Sequence, residues 1–196
     1  KNKFRKKIEM VKVNSCVFIS GAGTNLKALI SSSRNYNFPI QIKLVVSNKK
    51  NAPGLIFAKK YSIPFKVIDV KDSLFEVKIL NEIKKKNINL ICLAGYMKIL
   101  SKTFIKNFKG KIINIHPSLL PKYKGTNTFE RILKNNESQA GCTVHVVNEK
   151  LDSGKIILRK SFKISKNETV QSLKIKTQKI EYKAFSEAIT KLHIKN

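Results

Sequence analysis

Five short, continuously apolar runs separated by amphipathic stretches of helical length leave few folds open to this chain. The runs are Val11–Ile19, Ile40–Ser47, Phe65–Ile68, Leu90–Ala94 and Lys111–His116, and helices are expected between them near Asn25–Ser33, Ala52–Tyr61, Ser73–Lys86 and Ser101–Phe108. Strands apolar along their whole length are covered on both faces, and strands joined through helices lie parallel. The expected fold is therefore a doubly wound, mostly parallel α/β sheet, whose ligands sit beyond the carboxyl ends of its strands. After His116 the alternation loosens. Two further strands, Cys142–Val147 and Ile156–Phe162, are expected to run antiparallel, and a long last helix follows from about Thr169 to Leu192.

At 196 residues and 42% hydrophobic content the chain can bury one good core, so residues 11–196 are read as a single domain behind a flexible arm, 1–10. No run approaches the roughly 20 apolar residues that span a bilayer, and the basic start, Lys1 to Lys7, leads into no signal-like segment. A cytoplasmic protein is expected. Cys16, Cys92 and Cys142 lack metal-ligand spacing and lie in or beside apolar runs, which makes them buried thiols. The net charge of +28 would suggest nucleic acid, but only four of the 40 basic residues are Arg and the lysines are spread evenly. With no basic-aromatic platform, no nucleic-acid partner is expected; the charge favours phosphorylated small molecules instead.

Four places carry polar chemistry at the edges of this apolar pattern. Ser20-Gly21-Ala22-Gly23-Thr24-Asn25-Leu26 follows the first strand and opens the first helix, where glycines and free N–H groups can hold an anion. It lacks the third glycine of a dinucleotide fingerprint and the lysine of a P-loop, so it suits a phosphate monoester; the alternative is a plain turn capped by Thr24 or Asn25. Asn114-Ile115-His116-Pro117-Ser118-Leu119-Leu120-Pro121 ends the fifth strand. Asn114 and His116, two apart on a strand, face the same side. Leu151-Asp152-Ser153-Gly154 offers a carboxylate at the head of another apolar run, and an amide, an imidazole and a carboxylate together suit acyl transfer. His145 is either core or a support behind the site, and His193 is expected at the surface. In the last helix Val170, Leu173, Thr177, Ala184, Ala188 and Leu192 form an apolar stripe with Glu181 in its middle. A carboxylate there needs a partner, either one of the lysines or the hydroxyls of a ligand.

Read together, the GAGTNL turn, Leu93 to Leu100, the segment 114–125, Ala140 to His145 and LDSG resemble the phosphoribosylglycinamide formyltransferase family, collinearly from about Val11 to the last helix. The resemblance implies a Rossmann-like formyltransferase fold and transfer of the formyl group of 10-formyltetrahydrofolate to the amine of glycinamide ribonucleotide in purine biosynthesis. It implies that Asn114, His116 and Asp152 are catalytic, that Gly23, Thr24 and Asn25 bind phosphate, and that Gln178 and Glu181 contact the rest of the amine substrate. The folate would lie along Met97, Lys98, Ile99 and Leu100 and along Asn148 to Asp152, with Asn114 also in reach. No metal is required, and the chain would act as a monomer or homodimer. Three departures stand out: Tyr182 where the family usually has His, Ser186 where it has Pro, and no Arg at 71–78.

In the implied reaction Asn114 and a protonated His116 donate hydrogen bonds to the developing oxyanion, and Asp152 stabilises the imidazolium. The alternative activities are hydrolysis of 10-formyltetrahydrofolate and formyl transfer to another amine. A deformylase of this kind usually carries an extra N-terminal domain, and a methionyl-tRNA formyltransferase an extra C-terminal one.

Overall fold

The computed structural model describes residues 11–69 and 71–194; the expected arm, 1–10, lies outside them. Thirteen elements alternate in chain order: β1 (Val13–Ile19), α1 (Thr24–Ser33), β2 (Ile40–Ser47), α2 (Leu55–Lys60), β3 (Phe65–Val67), α3 (Phe75–Lys85), β4 (Leu90–Leu93), α4 (Lys102–Asn107), β5 (Lys111–His116), α5 (Thr128–Lys134), β6 (Gln139–Val146), β7 (Ile156–Lys163) and α6 (Val170–Ile194). One seven-stranded sheet results, ordered β3-β2-β1-β4-β5-β6-β7. The pairs among β1 to β5 are parallel, and β5–β6 and β6–β7 are antiparallel.

The apolar runs fill both faces of this sheet. Val17, Ile19, Val45, Cys92 and Ile113 join α1, α2 and α6 on one side. Cys16, Phe18, Leu44, Val46 and Ile91 meet Ile79, Ile83 and Phe104 of α3 and α4 on the other. Alternate side chains of a strand point to opposite faces, so Cys16 to Ile19 supply both cores in turn. Each fully buried Leu, Ile or Phe contributes roughly 1.5–3 kcal/mol. All three thiols are free and buried, and burial drives the Cys142 thiol up to about 12, which leaves it unreactive.

Helix α5 was not expected. Its seven residues are too few for a periodic signal, and it buries little beyond Thr128 and Ile132. Ile132 packs with Ala140 and Leu173, so tertiary contact stabilises a helix too short to form on its own. Other boundaries shift modestly. Val11 is 90% exposed and stays out of β1, and β6 begins three residues early, at Gln139, because its N-terminal half pairs with the end of β7.

Strand order reverses between β1 and β4, since β1 leads outward to β2 and β3 while β4 starts the other half. The crevice at such a switch point is where open α/β sheets bind ligands. Here the GAGTNL turn leaves β1, the segment 94–100 leaves β4, and His116 closes β5.

Candidate active site

The register of β5 against β6 builds the centre of the site. Asn114 pairs directly with His145, and His116 with Thr143, so Asn114, His116 and His145 share one face of the antiparallel edge. Asn114 Nδ2 lies 3.3 Å from His145 Nε2. The Val146 carbonyl, 3.0 Å from His145 Nδ1, can only accept a proton. In the neutral ring Nδ1 therefore carries the hydrogen, and Nε2 accepts one Asn114 amide proton, leaving the second for a ligand. His145 thus belongs to the site rather than to an inert core; the alternation Thr143-Val144-His145 matched to Asn114 was the available signal.

Asp152 arrives from the connection between β6 and β7. It sits at a left-handed φ of 46°, and Gly154 two residues on lets the chain pass tight against β6, where an added Cβ would lie 1.6 Å from the Val146 carbonyl oxygen. This turn places Asp152 Oδ2 at 3.4 Å from His116 Nδ1 and Oδ1 at 3.6 Å from His145 Nε2. The Gly125 N–H donates to Oδ2 at 2.9 Å. Asp152 and both histidines are buried. Burial works to raise the Asp152 carboxyl, but the His145 ring, the Gly125 N–H and His116, the two rings acting when the nitrogen that faces the carboxylate carries a proton, outweigh it and hold the group below its ordinary value. The carboxylate is ionised at neutral pH.

The proton expected on His116 during the reaction is not held at rest. Burial lowers its pKa, and the Tyr123 carbonyl and Asp152 recover only part of the shift. At neutral pH the ring rests neutral. Its Nε2–H donates to the Tyr123 carbonyl at 2.8 Å, so Nδ1 faces Asp152 unprotonated, and a proton gained there meets a carboxylate at once. The Tyr123 carbonyl and the Gly125 amide, neither visible in sequence patterns, come from the loop after Pro121. The stretch that leads into that loop is pinned by Thr143, whose hydroxyl donates to the Ser118 carbonyl at 2.7 Å and accepts from the Leu120 N–H at 3.0 Å.

At the GAGTNL turn Gly23, not Thr24 or Asn25, occupies the N-cap, at φ 69° with no side-chain cap. Plain capping is therefore not what Thr24 and Asn25 do. Asn25 instead donates from Nδ2 to Glu181 Oε2 at 2.8 Å, both groups buried. Glu181 has an amide partner and no lysine, and burial raises its pKa against that hydrogen bond. Asn25 Oδ1 and Thr177 Oγ1, the latter one turn before Glu181, are buried with no partner among the described residues. Such orphaned groups are costly unless a ligand or water satisfies them. Gln178 is partly buried on the same helix. The family's missing proline is accounted for: Ser186 Oγ hydrogen-bonds Ser32 Oγ at 2.8 Å, tying α6 to α1.

Along the β4 exit Met97 and Ile99 are 75% and 70% exposed, an apolar surface on the segment between β4 and α4. Lys98 is exposed as well. Leu100 is instead packed into the α3–α4 core, away from any ligand. Asn148 is exposed and accepts from the Lys150 N–H at 3.0 Å. Cavities of about 570 Å³, lined by Ser32, Phe38 and Ser186, and of about 840 Å³, lined by Asn48, Ile56 and Phe65, do not include this centre. Among the described residues no cluster of His, Cys, Asp and Glu is placed to hold a metal, and no helix is long and apolar enough to cross a membrane.

The formyl transferase family matches residues 13–189. A phosphoribosylglycinamide formyltransferase from Haemophilus influenzae is 40% identical over 173 residues, covering 86% of this chain and 82% of that protein. Its counterpart from Bacillus subtilis is 33% identical over 180 residues, covering 90% and 92%. A trifunctional purine biosynthetic protein from Homo sapiens is 41% identical over 189 residues; these span 92% of this chain but only 18% of that much longer protein. Among solved structures, a phosphoribosylglycinamide formyltransferase from Brucella melitensis superposes with a TM-score of 0.88 at 37% identity, covering 92% of this chain and 95% of that one. The chain belongs to the formyl transferase family, in the branch of the phosphoribosylglycinamide formyltransferases.

Proposed function

We propose that this protein transfers the formyl group of 10-formyltetrahydrofolate to the amine of glycinamide ribonucleotide. The observation that carries the reading is the convergence of Asn114, His116, His145 and Asp152 in one network where β5 meets β6. The GAGTNL turn and the Asn25–Glu181 pair lie at the carboxyl end of β1 in the same sheet. The turn suits the substrate phosphate, and Glu181 with the orphaned Asn25 and Thr177 oxygens suits hydroxyl and amine donors. Met97 and Ile99 offer the flat, apolar part of the folate a surface.

In this mechanism the amine nitrogen bonds to the formyl carbon, the C–N10 bond breaks, and a proton passes from the amine to N10. The spare Asn114 amide proton stabilises the oxyanion that forms between these events. One such donor is worth about 3–4 kcal/mol in comparable sites. His116 exchanges its bond to the Tyr123 carbonyl for one to the reacting group, takes up the amine's proton and releases it to N10, and Asp152 stabilises the charge the ring carries in between. His145 holds the Asn114 amide in place. No covalent intermediate is needed, since two anchored substrates already gain the advantage of proximity.

The test is to incubate the protein with 10-formyltetrahydrofolate, with and without glycinamide ribonucleotide, following tetrahydrofolate release and the fate of the formyl group. Release that depends on the ribonucleotide, with the formyl group on the glycinamide nitrogen, is expected. Free formate released at the same rate without that substrate would overturn the reading in favour of hydrolysis.

A further inference from the structure

The segment between β4 and α4 displays two large apolar side chains, Met97 and Ile99, on backbone with no helical or strand hydrogen bonds. Exposed apolar groups on such a stretch would fold back onto the surface unless its backbone were fixed. It is fixed at both ends by the same device: a serine hydroxyl oriented by a side chain from a different element.

At the first end Ser20, only 4% exposed, donates from its backbone N–H to the Gly95 carbonyl at 3.1 Å. Its hydroxyl gives its single proton to Asn48 Oδ1 at 2.6 Å, which turns a lone pair toward the Met97 N–H at 2.8 Å. Asn48 follows β2, so three parallel strands meet at one oxygen. At the second end Glu76 of α3 accepts from the Ser101 N–H at 2.8 Å and from the Ser101 hydroxyl. That hydroxyl's lone pair then caps α4 by accepting from the Phe104 N–H at 3.0 Å. Between the clamps Tyr96 packs edge-on against Phe18 with ring centres 5.2 Å apart, and Leu100 is buried.

We propose that Ser20, oriented by Asn48, and Glu76 are positioning residues that hold segment 95–101 rigid so that Met97 and Ile99 meet the formyl donor without an ordering cost at binding. The proposal rests on the functional reading above.

The test uses Ser20→Ala, Glu76→Ala and Glu76→Gln, with KM for each substrate, kcat, and amide hydrogen exchange of residues 95–101. Each alanine variant is expected to raise the donor KM about five- to tenfold, what losing the hydrogen bond to the segment's own N–H, of Met97 or of Ser101, is worth, with the ribonucleotide KM within about twofold. Kcat at saturating donor should stay near that of the parent, exchange over 95–101 should quicken, and Glu76→Gln, which keeps one acceptor, should fall between. Glu76→Ala carries the test alone if Ser20→Ala does not fold. Faster exchange with an unchanged donor KM, equal rises in both KM values, or unchanged exchange would each overturn the proposal. A parent that uses no 10-formyltetrahydrofolate would sink the functional reading and the donor role together, whereas normal parent turnover with unaffected variants sinks the clamp alone.

Discussion

Replacing Asp152 by Asn isolates the charge at the centre of the site. Asn tolerates the left-handed backbone, here φ 46°, and its side-chain oxygen can still accept the Gly125 N–H, so the turn should persist. What disappears is the negative charge 3.4 Å from His116 Nδ1. Opposite unit charges at that distance attract by roughly 5 kcal/mol at an effective dielectric near 20, and by about 1 kcal/mol in bulk water. A buried pair beside a solvent-facing cleft falls between, near 3 kcal/mol, which converts to about a hundredfold in rate. The loss should appear in kcat, because His116 gains its charge only as the reaction proceeds, with KM changing far less. The pH profile adds a second reading. Asp152 pushes the His116 pKa upward against burial, so removing the charge must lower that pKa, and the acid limb of kcat/KM should move to lower pH. Steady-state kinetics from pH 5 to 9, with circular dichroism to confirm folding, measure both. A folded variant with kcat within about threefold of the parent, or an acid limb that stays or moves upward, would refute the charge argument.

His116→Ala and Asn114→Ala should each lower kcat by about a hundredfold or more; near-normal kcat in a folded His116→Ala would remove the ring from the mechanism. Gly23 is constrained by the fold before any ligand binds: an added Cβ would sit 2.6 Å from the Gly54 Cα, at φ 69°. Gly23→Ala should therefore cost stability, by roughly 2–4 kcal/mol in urea titration, and not phosphate affinity alone. A variant as stable as the parent would show that the α2 start yields freely. Glu181→Gln keeps the bond to Asn25 but removes a buried charge, so it should weaken ribonucleotide binding less than Glu181→Ala does. The raised Glu181 pKa means the folded state holds that proton more tightly, so its stabilising contribution is present at low pH and lost as pH rises above about 4.5. Glu181→Gln should gain on the parent in denaturation as pH rises above about 4.5; a gap that narrows with pH would reverse that sign.

Fold class was legible because burial is written into composition. A strand covered on both faces must be apolar throughout, and Cys16–Ile19, Leu44–Val46 and Leu90–Leu93 are; the intervening helical stretches then dictate parallel pairing. The pairing of Asn114 with His116 was legible too, because two residues on one strand share a face whatever the strand packs against. Glu181 was visible as an anomaly in an apolar stripe, but its partner was not. Asn25 lies 156 positions away, and only the packing of α6 on α1 brings them together. The same limit applies to His145, whose role depends on the β5–β6 register, and to α5, too short to announce itself. It applies to the state of His116 as well, since desolvation, the Tyr123 carbonyl and Asp152 act on its proton only once the chain has folded around it. Local pattern records which groups must be buried. Which buried groups meet, and so what charge each carries, depends on strand order, register and helix docking, because electrostatic and hydrogen-bond energies follow distance in space rather than separation along the chain.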